Sequence, residues 1–233
     1  KNTDGIVFEK TPQNLNCIGE FLENFKTGYF IFVVRNPVFI YPSMIKRGWG
    51  NYISVATWLA DAAKFYPYKS HERVLTVKYE DLVKNPFGEV IRILQKINKN
   101  CTLTADDVKK GYETNLYRKE HAKKLKSWSV QEYGIIKNVN EKKLSAEVIE
   151  AFKGAMNLKV NSLFAKRFDV AEISYKDALA EFGYLDEFKS LIQNISDTKP
   201  NLKKNFQDYR LLSTKWARGF LKGGKFTTER YMK

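Results

Sequence analysis

The chain of 233 residues, with 43% hydrophobic and 14% aromatic side chains, is large enough for one α/β domain with a full core, which excludes gross disorder. Its 40 basic and 26 acidic residues leave a formal net charge of +14, which favours anionic ligands: nucleotides, sulfated or phosphorylated molecules, nucleic acid or acidic membranes. Two cysteines and two histidines indicate neither a disulfide framework nor a metal site, and no stretch is long and apolar enough to span a membrane.

The first part of the chain predicts a strand, a helix and a second strand. Residues 5–8 form a short apolar run, and residues 14–25 carry apolar side chains at helical spacing behind Asn14, a candidate N-cap. Residues 29–34 are uncharged and mostly β-branched or aromatic, which predicts a strand buried on both faces, as in parallel sheets. The order of these elements predicts a βαβ unit.

The next segment continues this alternation of strands and helices. Pro42 suits the first turn of a short helix, and residues 51–66 predict a longer one. Residues 73–79 are rich in β-branched side chains and predict a third strand, after which Pro86 opens another helix. We therefore expect a parallel sheet flanked by helices.

From residue 104 onward the pattern changes and predicts no further strand. Residues 117–140 are highly charged and show no clear period. Helical patterns then cover residues 145–168, 175–195 and 202–221. We expect an α/β core over residues 1–140 and a helical C-terminal cap or extension over residues 141–233.

Two polar side chains follow the second predicted strand. Arg35 ends the strand, and Ser43 lies eight residues further along the chain. Ligands of open α/β sheets bind at the carboxyl ends of the strands, so a guanidinium fork and a hydroxyl meeting there would form a phosphate clamp. The alternative left open is that Arg35 pairs with a surface carboxylate and that Ser43 caps a helix.

Three segments in this order carry a family resemblance: Glu-Lys-Thr-Pro at residues 9–12, Arg-Asn-Pro at residues 35–37 with Ser43 behind it, and Tyr-Glu-Asp-Leu at residues 79–82. Together they resemble the sulfotransferases that use 3′-phosphoadenosine 5′-phosphosulfate (PAPS), most closely the bacterial and Golgi-type branches. The resemblance covers roughly residues 6–97. It implies a P-loop NTPase-like sulfotransferase fold in which residues 1–140 form the nucleotide-binding core.

The resemblance also implies roles for individual residues. Arg35 and Ser43 would bind the 3′-phosphate of PAPS, while Asn36 stands where the family more often has Asp, at a side chain that mainly shapes the turn. Lys10 would lie near the transferred group and act in catalysis, because a fixed ammonium stabilises the negative charge that builds on the oxygens during transfer. Without the resemblance, Lys10 would be interpreted as a solvated lysine in a turn.

Other residues match the family more loosely. Lys126 and Trp128 resemble a late loop that closes over the cofactor with basic residues and a tryptophan, and a charged solvated loop is an equal alternative. Glu80 and Asp81 are expected to be caps and pairing partners rather than acids or bases. Trp58 is expected to pack a helix rather than to stack on adenine.

One family feature has no counterpart among the first residues of the chain. The family binds the 5′-phosphosulfate in a glycine-rich loop that precedes the Glu-Lys-Thr-Pro turn. Either this loop and its strand precede residue 1, or the chain is an incomplete and inactive relative. The general base of the family often lies in the same region, so no base is assigned.

The sequence therefore predicts a PAPS-dependent sulfotransferase that transfers a sulfuryl group to a hydroxyl or amine acceptor and releases adenosine 3′,5′-bisphosphate. We expect no metal and no specific nucleic-acid partner, while the acceptor and the oligomeric state stay undetermined. One alternative is a basic module that binds nucleic acid or another polyanion without catalysis, supported by the net charge and by the basic residues 199–233. Another is a P-loop kinase relative, although a Walker lysine loop is absent from the sequence.

Overall fold

A short parallel sheet lies at the centre of the fold. The computed structural model describes residues 9–10, 12–45, 50–114, 146–160, 162, 165–166 and 169–193. In this part of the chain β1 (Phe30–Val34) pairs in parallel with β2 (Val74–Lys78), with Phe30 opposite Val74 and Val34 opposite Lys78. The class is thus α/β, as predicted, with a small parallel sheet in a mostly helical chain.

Helices account for most of the described residues. Short 3₁₀ helices span Pro12–Cys17 and Tyr66–Tyr68. The α-helices are α1 (Ile18–Asn24), α2 (Pro37–Ile45), α3 (Asn51–Phe65), α4 (Tyr79–Lys84), α5 (Pro86–Ile97), α6 (Ala105–Thr114), α7 (Ala146–Ala155), α8 (Tyr175–Glu181) and α9 (Leu185–Gln193). No helix among the described residues is both long enough and apolar enough to cross a bilayer.

The prediction that β1 is buried on both faces is wrong. Val34 is 3% exposed, but its neighbour Val33, which points to the other face, is 50% exposed. The covered face carries Phe32, whose ring stacks on Phe65 of α3 with centroids 4.1 Å apart. The apolar run therefore packs one face of the strand against helices and leaves part of the other open.

The helix after β1 begins earlier than predicted. Pro37 occupies its first position, where the missing N–H costs no hydrogen bond, and the side-chain oxygen of Asn36 accepts a bond from the N–H of Val38 at 3.1 Å. Pro42, the predicted start, lies inside α2 and removes one backbone donor. The early cap makes the turn between strand and helix only two residues long.

Two predicted C-terminal helices are interrupted in the structure. The pattern over residues 145–168 is interrupted: α7 ends at Ala155, an isolated antiparallel bridge joins Lys159 to Ser174, and residues 162, 165 and 166 are helical again. The pattern over residues 175–195 is divided into α8 and α9 at Gly183, whose φ of +66° suits glycine. The predicted elements at residues 5–8, 117–140 and 202–221 lie outside the described residues.

One hydrophobic core joins the N-terminal and C-terminal parts of the chain. Helix α3 packs against α2, α7 and α8. Phe152 of α7 touches Tyr41 of α2 on one side and Phe188 of α9 on the other, with ring centroids 5.7 and 5.4 Å apart. The C-terminal helices thus cover the same core that supports β1.

Candidate functional site at the end of the first strand

Arg35 lies directly beyond the carboxyl end of β1. Its guanidinium carbon sits 4.4 Å from the centre of the Tyr79 ring, which follows β2. Its carbonyl oxygen accepts a hydrogen bond of 2.9 Å from the indole N–H of Trp58. Trp58 is 8% exposed and packs against aromatic side chains of α8 and the residue after it, which confirms its expected packing role. Backbone and side chain of Arg35 are therefore both held in place.

Among the described residues, the Nε atom of Arg35 is a donor without an acceptor. It is buried, and within the described part of the chain no atom accepts a hydrogen bond from it. An unpaired buried donor costs about 1–3 kcal/mol, and more where the group is charged. Among the described residues, no carboxylate accepts a hydrogen bond from this Nε, so the structure of this part of the chain does not support the alternative in which Arg35 pairs with a surface carboxylate.

Ser43 belongs to the same strand-turn-helix unit as Arg35. It lies exposed within α2, about 9 Å along the helix axis from Pro37 at 1.5 Å per residue. Since the helix begins at Pro37, Ser43 does not cap it, and the capping alternative is wrong. Its hydroxyl is accessible to a ligand that reaches along α2.

The remaining predicted site residues are more distant in the chain. Lys10 is exposed and lies before the 3₁₀ helix that leads into α1. Its neighbour Glu9 accepts a hydrogen bond from the side-chain amide of Asn14, which lies inside that helix and not at the N-cap. Lys126 and Trp128 lie outside the described residues.

A polar network holds the turn that carries Arg35. Asn36 is fully buried, and its backbone N–H donates to the Glu80 carboxylate at 3.0 Å. The other oxygen of Glu80 accepts a bond of 2.7 Å from the Tyr184 hydroxyl. The side-chain amide of Asn36 donates to Glu187 at 2.9 Å. Glu80 is thus a pairing partner, as predicted.

Tyr184 is kept in its neutral form by this environment. Burial raises the pKa of its phenol above the ordinary value, and the hydrogen bond to Glu80 and the negative charges of Glu80, Asp81 and Glu187 raise this pKa further. A neutral phenol remains a donor to Glu80 at all ordinary pH values.

Sequence reasoning missed Tyr184 and Glu187. Tyr184 lies between α8 and α9, 104 residues beyond Glu80, and Glu187 lies in α9, 151 residues beyond Asn36. Neither belongs to a motif, and no local pattern marks them. Only their packing against the end of β1 reveals them.

A separate cleft of about 330 Å³ lies beside β2 and does not include Arg35, Ser43 or Lys10. Its cations are largely satisfied, because Lys69 pairs with Glu181 at 2.5 Å and Arg92 pairs with Glu89 at 2.8 Å. The complete lining is Phe65, Lys69, Thr76, Lys78, Asp81, Glu89, Arg92, Glu181 and Phe182. The strand end differs from this cleft, because among the described residues the buried Nε of Arg35 has no acceptor.

A comparison with known protein families matches the N-terminal part of the chain. Residues 1–101 match the family model described as the Sulfotransferase family, and this segment contains Lys10, Arg35 and Ser43. The chain has no significant match among curated proteins or solved structures. The family match indicates transferase chemistry, the transfer of a sulfuryl group from a donor to an acceptor. Residues 1–101 are therefore similar to the sulfotransferase family.

Proposed function

We propose that the protein is a PAPS-dependent sulfotransferase whose acceptor is a hydroxyl or an amine. The observation that carries this proposal is the buried Nε of Arg35, which lacks an acceptor among the described residues at the end of a parallel strand. An anionic oxygen would satisfy this donor, and charge-assisted bonds of this kind are about twice as strong as neutral ones. The family match of residues 1–101 supports the same chemistry.

In this proposal the residues of the β1–α2 unit bind the nucleotide. Arg35 would donate Nε–H to the 3′-phosphate, with its guanidinium already oriented by the Tyr79 ring, and Ser43 would donate its hydroxyl from α2. Lys126 and Trp128 would also contact the cofactor, as the family resemblance implies. Orientation before binding lowers the entropic cost of fixing the side chain.

PAPS supplies the sulfuryl group, which passes to the acceptor by displacement at sulfur. The acceptor oxygen or nitrogen forms a bond to sulfur and loses its proton to water, while the bond from sulfur to the phosphate oxygen breaks and that oxygen keeps the electron pair. Lys10, which is exposed to solvent and so accessible to a ligand, would stabilise the charge that develops on the oxygens. Positioning and charge stabilisation would thus be the main contributions of the protein.

The formal charge of +14 favours a second candidate, a polyanion-binding module without catalysis. Retention on immobilised adenosine 3′,5′-bisphosphate and on DNA-cellulose, compared across a salt series, separates the two. A sulfotransferase is expected to stay on the nucleotide resin at salt concentrations that release it from DNA, and to elute with free adenosine 3′,5′-bisphosphate. Stronger retention on DNA, with no elution by the nucleotide, would instead support the polyanion-binding module.

A further inference from the structure

The amide of Asn36 connects the strand end to the C-terminal helices. Asn36 is 0% exposed, and each of its polar groups has a defined partner: Glu80 for the backbone N–H, Val38 for the side-chain oxygen and Glu187 for the side-chain NH₂. Because Arg35 precedes Asn36 directly, displacement of Asn36 would displace Arg35 as well.

The chemistry of this contact requires an amide at residue 36 as long as residue 187 is a carboxylate. The NH₂ group of Asn36 donates to Glu187 at 2.9 Å. An aspartate at residue 36 would place a third carboxylate beside those of Glu187 and Glu80. Its contact with Glu187 would then join two carboxylates and contain no donor. The donor of Asn36 and the acceptor of Glu187 are therefore chemically complementary.

We propose that Glu187 is a positioning residue for the anion site: it holds Asn36 and, through it, the guanidinium of Arg35. This inference rests on the proposed function, since the ligand in question is the nucleotide phosphate. It makes α9 part of the binding machinery, although α9 lies outside the segment that matches the family model.

The test compares variants of the full chain by calorimetric titration with adenosine 3′,5′-bisphosphate. Glu187→Ala is expected to weaken binding about tenfold, which corresponds to the interaction energy typical of two residues in contact. Glu187→Gln keeps an acceptor oxygen for Asn36 and should bind as the wild type does. Asp186→Ala, which removes a charge from the same turn of α9, is the matched control and should leave the affinity unchanged. Equal affinities for Glu187→Ala and the wild type would overturn the proposal.

A reciprocal pair of variants tests the match between the two residues. Asn36→Asp should weaken binding by at least about tenfold, and adding Glu187→Gln should restore most of the affinity, because an amide at residue 187 can donate to a carboxylate at residue 36. A double variant as weak as Asn36→Asp alone would contradict the match. If Asn36→Asp does not fold, the Glu187 variants decide the question alone, since Glu187 is exposed.

A readout without nucleotide separates this inference from the proposed function. The Nε–H resonance of Arg35, assigned by its absence in Arg35→Lys, should shift in Glu187→Ala and stay in place in Glu187→Gln. If the wild type binds no adenosine 3′,5′-bisphosphate, the proposed function fails, while a shifted resonance would still support the positioning role. An unmoved resonance in Glu187→Ala would overturn that role.

Discussion

Within the part of the chain that the structure describes, Arg35 makes two well-defined contacts and has one donor without an acceptor. The Tyr79 ring lies under its guanidinium at 4.4 Å, and Trp58 holds its carbonyl oxygen at 2.9 Å, yet the buried Nε has no acceptor among the described residues. A side chain that is held in place while one donor stays unpaired is typical of a binding site, because the bound ligand removes the desolvation cost.

Replacing Arg35 tests this interpretation at the level of one side chain. Arg35→Ala should weaken the binding of adenosine 3′,5′-bisphosphate about 10- to 100-fold, because this loss of affinity corresponds to the free energy of one hydrogen bond to a charged group. Arg35→Lys keeps the charge but not Nε, and should give an intermediate affinity. Isothermal titration calorimetry measures both. Arg92→Ala removes a half-exposed arginine from α5 and serves as the control.

Unchanged affinity in Arg35→Ala would remove the role assigned to this residue. Equal losses in Arg35→Ala and Arg92→Ala would indicate that net charge, and not the geometry at the strand end, determines binding.

Tyr184 should make the stability of the protein depend on alkaline pH. Its pKa is raised in the folded protein by burial and by its bond to Glu80, with Asp81 and Glu187 adding negative charge. The resulting stabilisation is fully present below the pKa of about 10 of an unfolded tyrosine, and is lost as the pH rises through the pKa of the folded state. Urea denaturation of wild type and Tyr184→Phe should therefore differ by a constant free energy from pH 7 to about 9, and by less above about 10. A difference that stays constant through pH 11 would contradict this assignment.

At the scale of elements, short helices depend on their caps. Helix α8 has seven residues, and the hydroxyl of Ser174 accepts a bond of 3.0 Å from the N–H of Asp177, while also donating to its carboxylate. This reciprocal pairing satisfies one of the unpaired donors at the start of the helix.

Removing this cap should lower the free energy of unfolding. Ser174→Ala is expected to cost about 1 kcal/mol, measured by urea denaturation. Ser190→Ala makes the same chemical change in the exposed middle of α9 and should be neutral or slightly stabilising, since alanine is the better helix former. Comparable losses from both substitutions would show that the cap at Ser174 contributes nothing specific.

At the scale of the whole molecule, one hydrophobic core contains helices from both sides of residue 140, where the sequence pattern suggested a division of the chain. Phe152 has no exposed surface, and its ring lies between Tyr41 and Phe188. Helix α3 contacts both α2 before it and α7 and α8 after the proposed division. We therefore propose that the α/β core and the helical cap unfold together.

Phe152→Ala tests this cooperativity. The substitution should lower the free energy of unfolding by about 3–5 kcal/mol and keep a single transition, because it opens a cavity in the shared core. Circular dichroism and tryptophan fluorescence should report the same midpoint in urea. Phe25→Ala removes a ring that belongs to a half-exposed residue and should cost less than about 1 kcal/mol. Two separate transitions in Phe152→Ala would indicate two independent units.

Local sequence was sufficient for most of the elements and for the turn that carries Arg35. The apolar run before Arg35, the prolines and the helical spacing of α3 and α5 determine structure over a few residues, so β1, β2 and the helices between them were predicted from sequence. Their order also indicated a parallel sheet. Two helix boundaries were predicted wrongly from local propensity. Helix α2 begins at Pro37 and not at Pro42, and Gly183 divides the helical pattern over residues 175–195 into two helices.

The tertiary structure decided which faces are covered and what holds the site. The side chain of Val33 is half exposed, although the sequence around it is as apolar as that of a fully buried strand. Asn36 meets Glu187, and Tyr184 meets Glu80, across more than a hundred residues. Such contacts arise only when the helices pack against the sheet, because no local propensity encodes a partner that far along the chain.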